Sequence, residues 1–172
     1  MTVHFSDHPL VAVYLTEYLA TQDDAEKLTT ARDALMSMLT YEATREQAGV
    51  TDAAITRNYS LLVDPADIGL ADPILRLMEK ESFGLALLTS GDAVLRKGST
   101  SINEARPNDL VLLAVESISA AQSIESLLYE LQKQSPAKIA IISITITPEA
   151  VSFVEHSLPE LDFYVAGLTS AS

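Results

Sequence analysis

The sequence predicts an α/β fold, a mostly parallel sheet flanked by helices and preceded by a helical N-terminal segment. Three observations predict it. From Tyr59 onward, short apolar runs of strand length recur along the chain. Segments with helical spacing separate them, so strand and helix alternate as parallel crossovers require. Before Tyr59 the apolar residues recur instead at the period of a helix.

The first helix is placed near His8-Pro9, with proline in the first turn and Leu10, Val13, Tyr14 and Leu15 as its apolar residues. A longer one follows. Asp23 stands three residues before Glu26, a carboxylate form of the capping box, and Leu28, Ala31, Leu35, Met38 and Leu39 continue the stripe to about Arg45. Strands are predicted at Tyr59 to Val63, Phe83 to Leu88, Leu110 to Val115, Ile139 to Ile144 and Phe163 to Ala166. Between them, Asp72-Pro73 opens a helix through Ile74 to Met78, Ile124 to Leu131 carries another, and Thr147-Pro148 opens a third over Ala150 to Val154. The polar stretch Ser90 to Asp109, with Gly91, Gly98 and Pro107, reads as a hairpin or loop arm. No repeat or low-complexity linker interrupts the chain, so residues 1–172 are expected to form one domain, with helices in 1–50 and an α/β core in 58–168.

With 11 basic and 24 acidic residues the formal charge is -13, which repels phosphate backbones and anionic membranes, so neither nucleic acid nor a membrane is expected as a partner. The absence of cysteine excludes disulfides, thiolate metal sites and cysteine nucleophiles. The N-terminal residues carry His4, Asp7 and His8 and lack the pattern of a signal peptide, and no stretch of about 20 apolar residues occurs. A cytoplasmic protein is expected.

In an open parallel sheet, ligands bind beyond the carboxyl ends of the strands. After the first strand come Asp64, Asp67 and Gly69; after the third come Glu116, Ser119, Ala120, Ala121, Gln122 and Ser123. The latter stretch occupies the place where helix N-terminal amides hold a phosphate, yet it has no glycine to let a phosphate approach the backbone. Ser119 and Ser123 offer hydroxyls, but serine ahead of a helix reads first as a cap. Asp72 before Pro73 reads as a cap too, and Asp64, Asp67 and Glu116 as solvated loop charges rather than a magnesium site or an acid and base pair. His4, His8 and His156 share no motif. No catalytic residue, metal or cofactor is expected.

The run His8-Pro9-Leu10-Val11, followed by Tyr41-Glu42-Ala43-Thr44-Arg45-Glu46, resembles the N-terminal helices of uracil phosphoribosyltransferases, which carry HPLV and then YEVTRD or close variants. The likeness continues through Leu110 to Val115, Ala137-Lys138, Ile139 to Ile144, Pro148-Glu149 and Leu161-Asp162-Phe163-Tyr164, so it covers almost the whole chain. It implies a type I phosphoribosyltransferase fold, a homodimer or larger assembly, and an ancestry in making uridine monophosphate from uracil and phosphoribosyl diphosphate.

The loops of that chemistry depart from the pattern. The family's phosphoribosyl loop reads approximately VVDPMLATGGS, and aligning Ala114 to Ser123 with its last ten residues puts Val115 at the key aspartate. Ala120, Ala121 and Gln122 then stand at the threonine and two glycines, Glu116 supplies an acid one place late, and Ser123 alone matches. If position 116 still belongs to the strand, that slip of one residue turns its side chain to the other face. The diphosphate loop reads VPILRAGLG, and Val63 to Ala71 fits it through Gly69-Leu70, with Asp67 at the arginine. A rival fit uses Pro73-Ile74-Leu75-Arg76 but leaves too few residues for the next crossover helix. The chain ends at Gly167 to Ser172, where the family continues into a GLGDAGDR-like uracil-binding segment. The resemblance with these departures implies a non-catalytic scaffold or regulatory homo-oligomer, acting through its oligomer interface or an unidentified protein partner; an active uracil phosphoribosyltransferase and a small-ligand sensor are the alternatives.

Overall fold

A computed structural model describes residues 3–21, 23–48, 59–63, 65–77, 83–89, 92–97, 100–102, 110–119 and 138–169. The strands are β1 (Val3–Phe5), β2 (Tyr59–Val63), β3 (Phe83–Thr89), β4 (Asp92–Lys97), β5 (Thr100–Ile102), β6 (Leu110–Ile118), β7 (Lys138–Ile146) and β8 (Asp162–Leu168). The helices are α1 (Pro9–Ala20), α2 (Ala25–Ala48), α3 (Ala71–Leu77) and α4 (Pro148–Ser157), and a 3-10 turn spans Pro65–Leu70. The sheet order is β1-β8-β7-β6-β2-β3-β4-β5. Every pairing from β1 to β3 is parallel, and β4 and β5 extend the β3 edge antiparallel. The polar arm thus contains a hairpin.

Two apolar layers cover the central strands. Leu112 and Ala114 of β6 face one side and join Val11 and Tyr18 of α1, Ala31, Leu35, Met36 and Leu39 of α2 and Ile74 of α3. Val111 and Leu113, one residue out of step, face the other side and join Val154 of α4, with Val115 packed against them. The period of two along β6 therefore places Val115 and Glu116 on opposite faces.

Local chemistry explains the helix starts. His8 caps α1, its Nδ1 accepting the Leu10 amide at 3.2 Å, and Pro9 takes the first helical position. Thr147 caps α4 by accepting the Ala150 amide at 3.2 Å, again with proline next. At α2 the capping carboxylate is Asp24 rather than Asp23, because the helix starts at Ala25 and Asp24 Oδ1 accepts the Lys27 amide at 3.2 Å. Asp72 is not a cap either; it lies inside the first turn of α3 and pairs with Arg76 at 2.5 Å.

The N-terminal segment differs from expectation in two respects. It is not purely helical, since Val3–Phe5 forms β1 and pairs with β8 in register Val3 to Phe163. Three residues are too few for a period to show. In α1, Val11 and Tyr18 face the sheet while Leu10 and Val13 point outward. The helix is apolar nearly all round, so composition alone does not choose its inner face.

Candidate functional site

The chain leaves β2 toward β3 on one side and leaves β6 toward β7 on the other, and β2 and β6 are adjacent. Their carboxyl ends therefore border the switch point of the sheet, the crevice where open α/β folds bind ligands. The 3-10 turn that begins at Pro65, just after β2, contributes Asp67 and Gly69, while strand β6 contributes Glu116 near its carboxyl end.

Residues from four elements meet there. Tyr18, 8% exposed on α1, donates its hydroxyl to Glu116 Oε1 at 2.7 Å. The Glu116 amide points to Asp67 Oδ2 at 3.5 Å, a long contact at the limit of hydrogen bonding. Arg32 of α2 lays its guanidinium over Gly69: a Cβ added to that glycine would stand 2.9 Å from Nη2 and 3.3 Å from Cζ. Its buried Nε lies 3.6 Å from Asp33 Oδ1, an ion pair too long for a hydrogen bond.

The Tyr18 phenol is held well above the ordinary tyrosine range. Burial is the main cause, followed by the hydrogen bond to Glu116 and its charge; Arg32 opposes and Asp67 adds to the effect. Tyr18 is therefore a neutral donor at physiological pH. Among the described residues, the charges that act on it are the carboxylates of Glu116 and Asp67 and the guanidinium of Arg32.

Glu116 corrects the sequence reading. It is no solvated loop charge: β6 runs on through Ile118, three residues past the predicted end, and Glu116 is half-buried within it. Asp67, also half-buried, is engaged by the Glu116 amide. Ser117 and Ile118 likewise belong to the strand, and Thr145 donates to Ser117 Oγ at 2.9 Å across the β6–β7 pair. Val115 packs toward the core, where its isopropyl group offers an anion nothing. Ser119 is exposed, and its carbonyl is 3.5 Å from Thr147 Oγ1. Asp64, Ala120, Ala121, Gln122 and Ser123 lie outside the described residues, as does the predicted helix from Ile124 to Leu131. Pro73-Ile74-Leu75-Arg76 lies inside α3, with Ile74 fully buried, rather than in a loop after a strand.

Tyr18 and Arg32 were not singled out by sequence. Tyr18 is 98 residues from its partner, so no local spacing connects them. Arg32 carries a faint signal, since it follows Ala31 and stands four residues after Leu28 on the border of the apolar stripe of α2. The three histidines serve local ends. His4 stacks on Tyr164 at 5.0 Å between ring centroids and meets Asp162 at 3.2 Å, His8 caps α1, and His156 is exposed in the last turn of α4. Among the described residues no three acidic or histidine side chains gather as a metal site, and no helix is long and apolar enough to cross a membrane.

No protein-family model matches the chain. It is 27% identical over 175 residues to a uracil phosphoribosyltransferase of Streptomyces avermitilis, covering 92% of this chain and 82% of that protein. To the uracil phosphoribosyltransferase of a Nocardioides species it is 26% identical over 188 residues, covering 99% and 87%. Among solved structures, the AQ2163 protein of Aquifex aeolicus superposes with a TM-score of 0.75 at 17% identity, covering 98% of this chain and 88% of that one. A hypoxanthine phosphoribosyltransferase of Trypanosoma cruzi superposes with a TM-score of 0.55 at 10% identity, covering 83% and 69%. The fold is that of the phosphoribosyltransferases.

Proposed function

Starting from a chain that is uracil phosphoribosyltransferase-like in sequence and fold, we propose that it is not a working transferase and acts as a non-catalytic scaffold or regulatory homo-oligomer. One observation carries this reading: the switch-point crevice holds the carboxylates of Asp67 and Glu116, the latter receiving the hydroxyl of Tyr18. A phosphoribosyl donor brings several negative charges to such a place. Two like charges about 4 Å apart at an effective dielectric of about 20 repel by about 4 kcal/mol, close to three powers of ten in affinity. Val115, turned into the core beside them, supplies no acid for the ribose.

The assembly proposed is a homodimer through α1. Leu10 and Val13 are 52% and 55% exposed, and Leu19 and Tyr41 are exposed as well. A helix apolar on nearly all sides gains most when both faces are covered.

The deciding experiment is a radiolabelled uracil assay with phosphoribosyl diphosphate, run beside an active uracil phosphoribosyltransferase. No uridine monophosphate is expected from the wild type or from Asp67→Arg, because a single arginine leaves Val115 and Glu116 in place. Wild-type turnover within about a hundredfold of the control, equivalent to about 2.7 kcal/mol, would overturn the reading in favour of an active transferase.

A further inference from the structure

A cavity of about 330 Å³ lies between α2 and α3, lined by Asp33, Ala34 and Ser37 on one wall and by Pro73, Arg76 and Leu77 on the other. Neither Tyr18 nor Glu116 lines it, so it is distinct from the switch-point crevice. Opposite charges stand on its two walls without joining. Arg76 turns to Asp72 of its own helix at 2.5 Å, whereas Asp33 Oδ1 faces Arg32 Nε at 3.6 Å, too far for a hydrogen bond. That oxygen is buried and, among the described residues, accepts no hydrogen bond. A buried carboxylate oxygen is seldom left without a donor. The Asp33 side chain as a whole is 32% exposed, so a donor can reach its carboxyl group from the cavity.

We infer that this cavity binds a small zwitterion, an aliphatic amino acid whose ammonium meets the Asp33 carboxylate and whose carboxylate meets the Arg76 guanidinium. Its volume stands at the lower end of the roughly 300–1,000 Å³ of small-molecule pockets, which suits a compact metabolite. Each wall rejects a ligand that carries only the like charge, because Asp33 repels a lone anion and Arg76 a lone cation. A zwitterion has no net charge and escapes the repulsion that a formal charge of -13 exerts on anions. Ser37, one helical turn after Asp33, adds a hydroxyl on the same face of α2. Ala34, buried Pro73 and Leu77 supply apolar contact for an aliphatic body, and Leu77 is 44% exposed, so the occupant covers a side chain that the fold leaves in water. This goes beyond the non-catalytic reading and does not rest on it, because the cavity stands whether or not uracil is turned over.

The test is calorimetric titration of the full chain with L-leucine and separately with 6-aminohexanoate, which carry the two charges on one carbon and at the two ends of a chain. At least one should bind with one site per chain, and the tighter of the two reports the spacing the walls accept. The single-charge analogues 4-methylpentanoate and 3-methylbutylamine should bind at least about tenfold more weakly, since each loses one charge-assisted contact. Asp33→Asn and Arg76→Gln should each weaken the zwitterion by about tenfold or more for the same reason. Asp72→Asn should tighten it by about threefold, because it frees Arg76 from an exposed competing carboxylate. Circular dichroism establishes that each variant is folded; Arg76, with a side chain 74% exposed, decides the matter if Asp33→Asn is not. No heat from either zwitterion up to about 10 mM, single-charge analogues that bind equally well, affinity unchanged in folded Arg76→Gln, or no tightening in Asp72→Asn would each overturn the inference. Uridine monophosphate formation by wild type would overturn the earlier reading alone.

Discussion

Tyr18 on α1 and Glu116 near the end of β6, 98 residues apart, are joined by a 2.7 Å hydrogen bond that ties the N-terminal helices to the carboxyl end of the sheet. A hydrogen bond to a charged group contributes roughly 1.5–3 kcal/mol, and partial solvent access places this one at the lower end. Tyr18→Phe should therefore lower the unfolding free energy by about 1.5 kcal/mol, seen as a lower urea midpoint with unchanged slope. Tyr41→Phe, at an exposed ring, should leave the midpoint in place.

The same pair sets an alkaline limit. The folded-state value of Tyr18 is raised above the ordinary 10.0 by burial first and by Glu116 second. Its contribution is thus fully present below pH 10.0 and lost as pH rises from there through the folded value. The stability difference between wild type and Tyr18→Phe should stay constant up to that pH and shrink above it. A constant difference at higher pH would remove the hydrogen bond from the explanation.

At the other end of the strands, where β7 and β8 begin, Asp162 accepts from Lys138 at 2.6 Å and from His4 at 3.2 Å. Burial would raise its pKa, but the bonds to Lys138 and His4 outweigh that and leave it below the ordinary 3.8. Its contribution is present above 3.8 and lost as pH falls through the lower folded value. Asp162→Asn should cost about 1 kcal/mol at neutral pH, in keeping with a partly exposed pair. Acid titration of unfolding should show a shallower loss in the variant below pH 3.8.

Gly69→Ala should push the Arg32 guanidinium aside and cost about 1 kcal/mol, small because the far end of a flexible side chain is what moves. In an Arg32→Ala background the same substitution should cost much less, a coupling that a double-mutant cycle reads directly. Gly167→Ala meets the Leu15 side chain of α1 and should destabilise more, because Leu15 is packed between helix and sheet.

The proposed dimer is checked by sedimentation at micromolar concentration. Wild type should sediment as a dimer and Leu10→Asp with Val13→Asp as a monomer, since both exposed positions would place charge in an apolar interface. A wild-type monomer would remove α1 as the contact.

The sequence by itself determined the order and type of β2, β3, β6, β7 and β8 and of the four helices described, because apolar period and capping chemistry act over a few residues. It also placed the crevice after β2 and near the end of β6. Only the tertiary structure decided that Val3–Phe5 is an edge strand, that β6 carries Glu116 inside it, and that Tyr18 and Arg32 meet Glu116 and Gly69 there. Those relationships join residues tens of positions apart on elements whose own patterns are satisfied without them. A local period says which way a side chain faces along its own helix or strand; which partner waits there depends on how the elements stack.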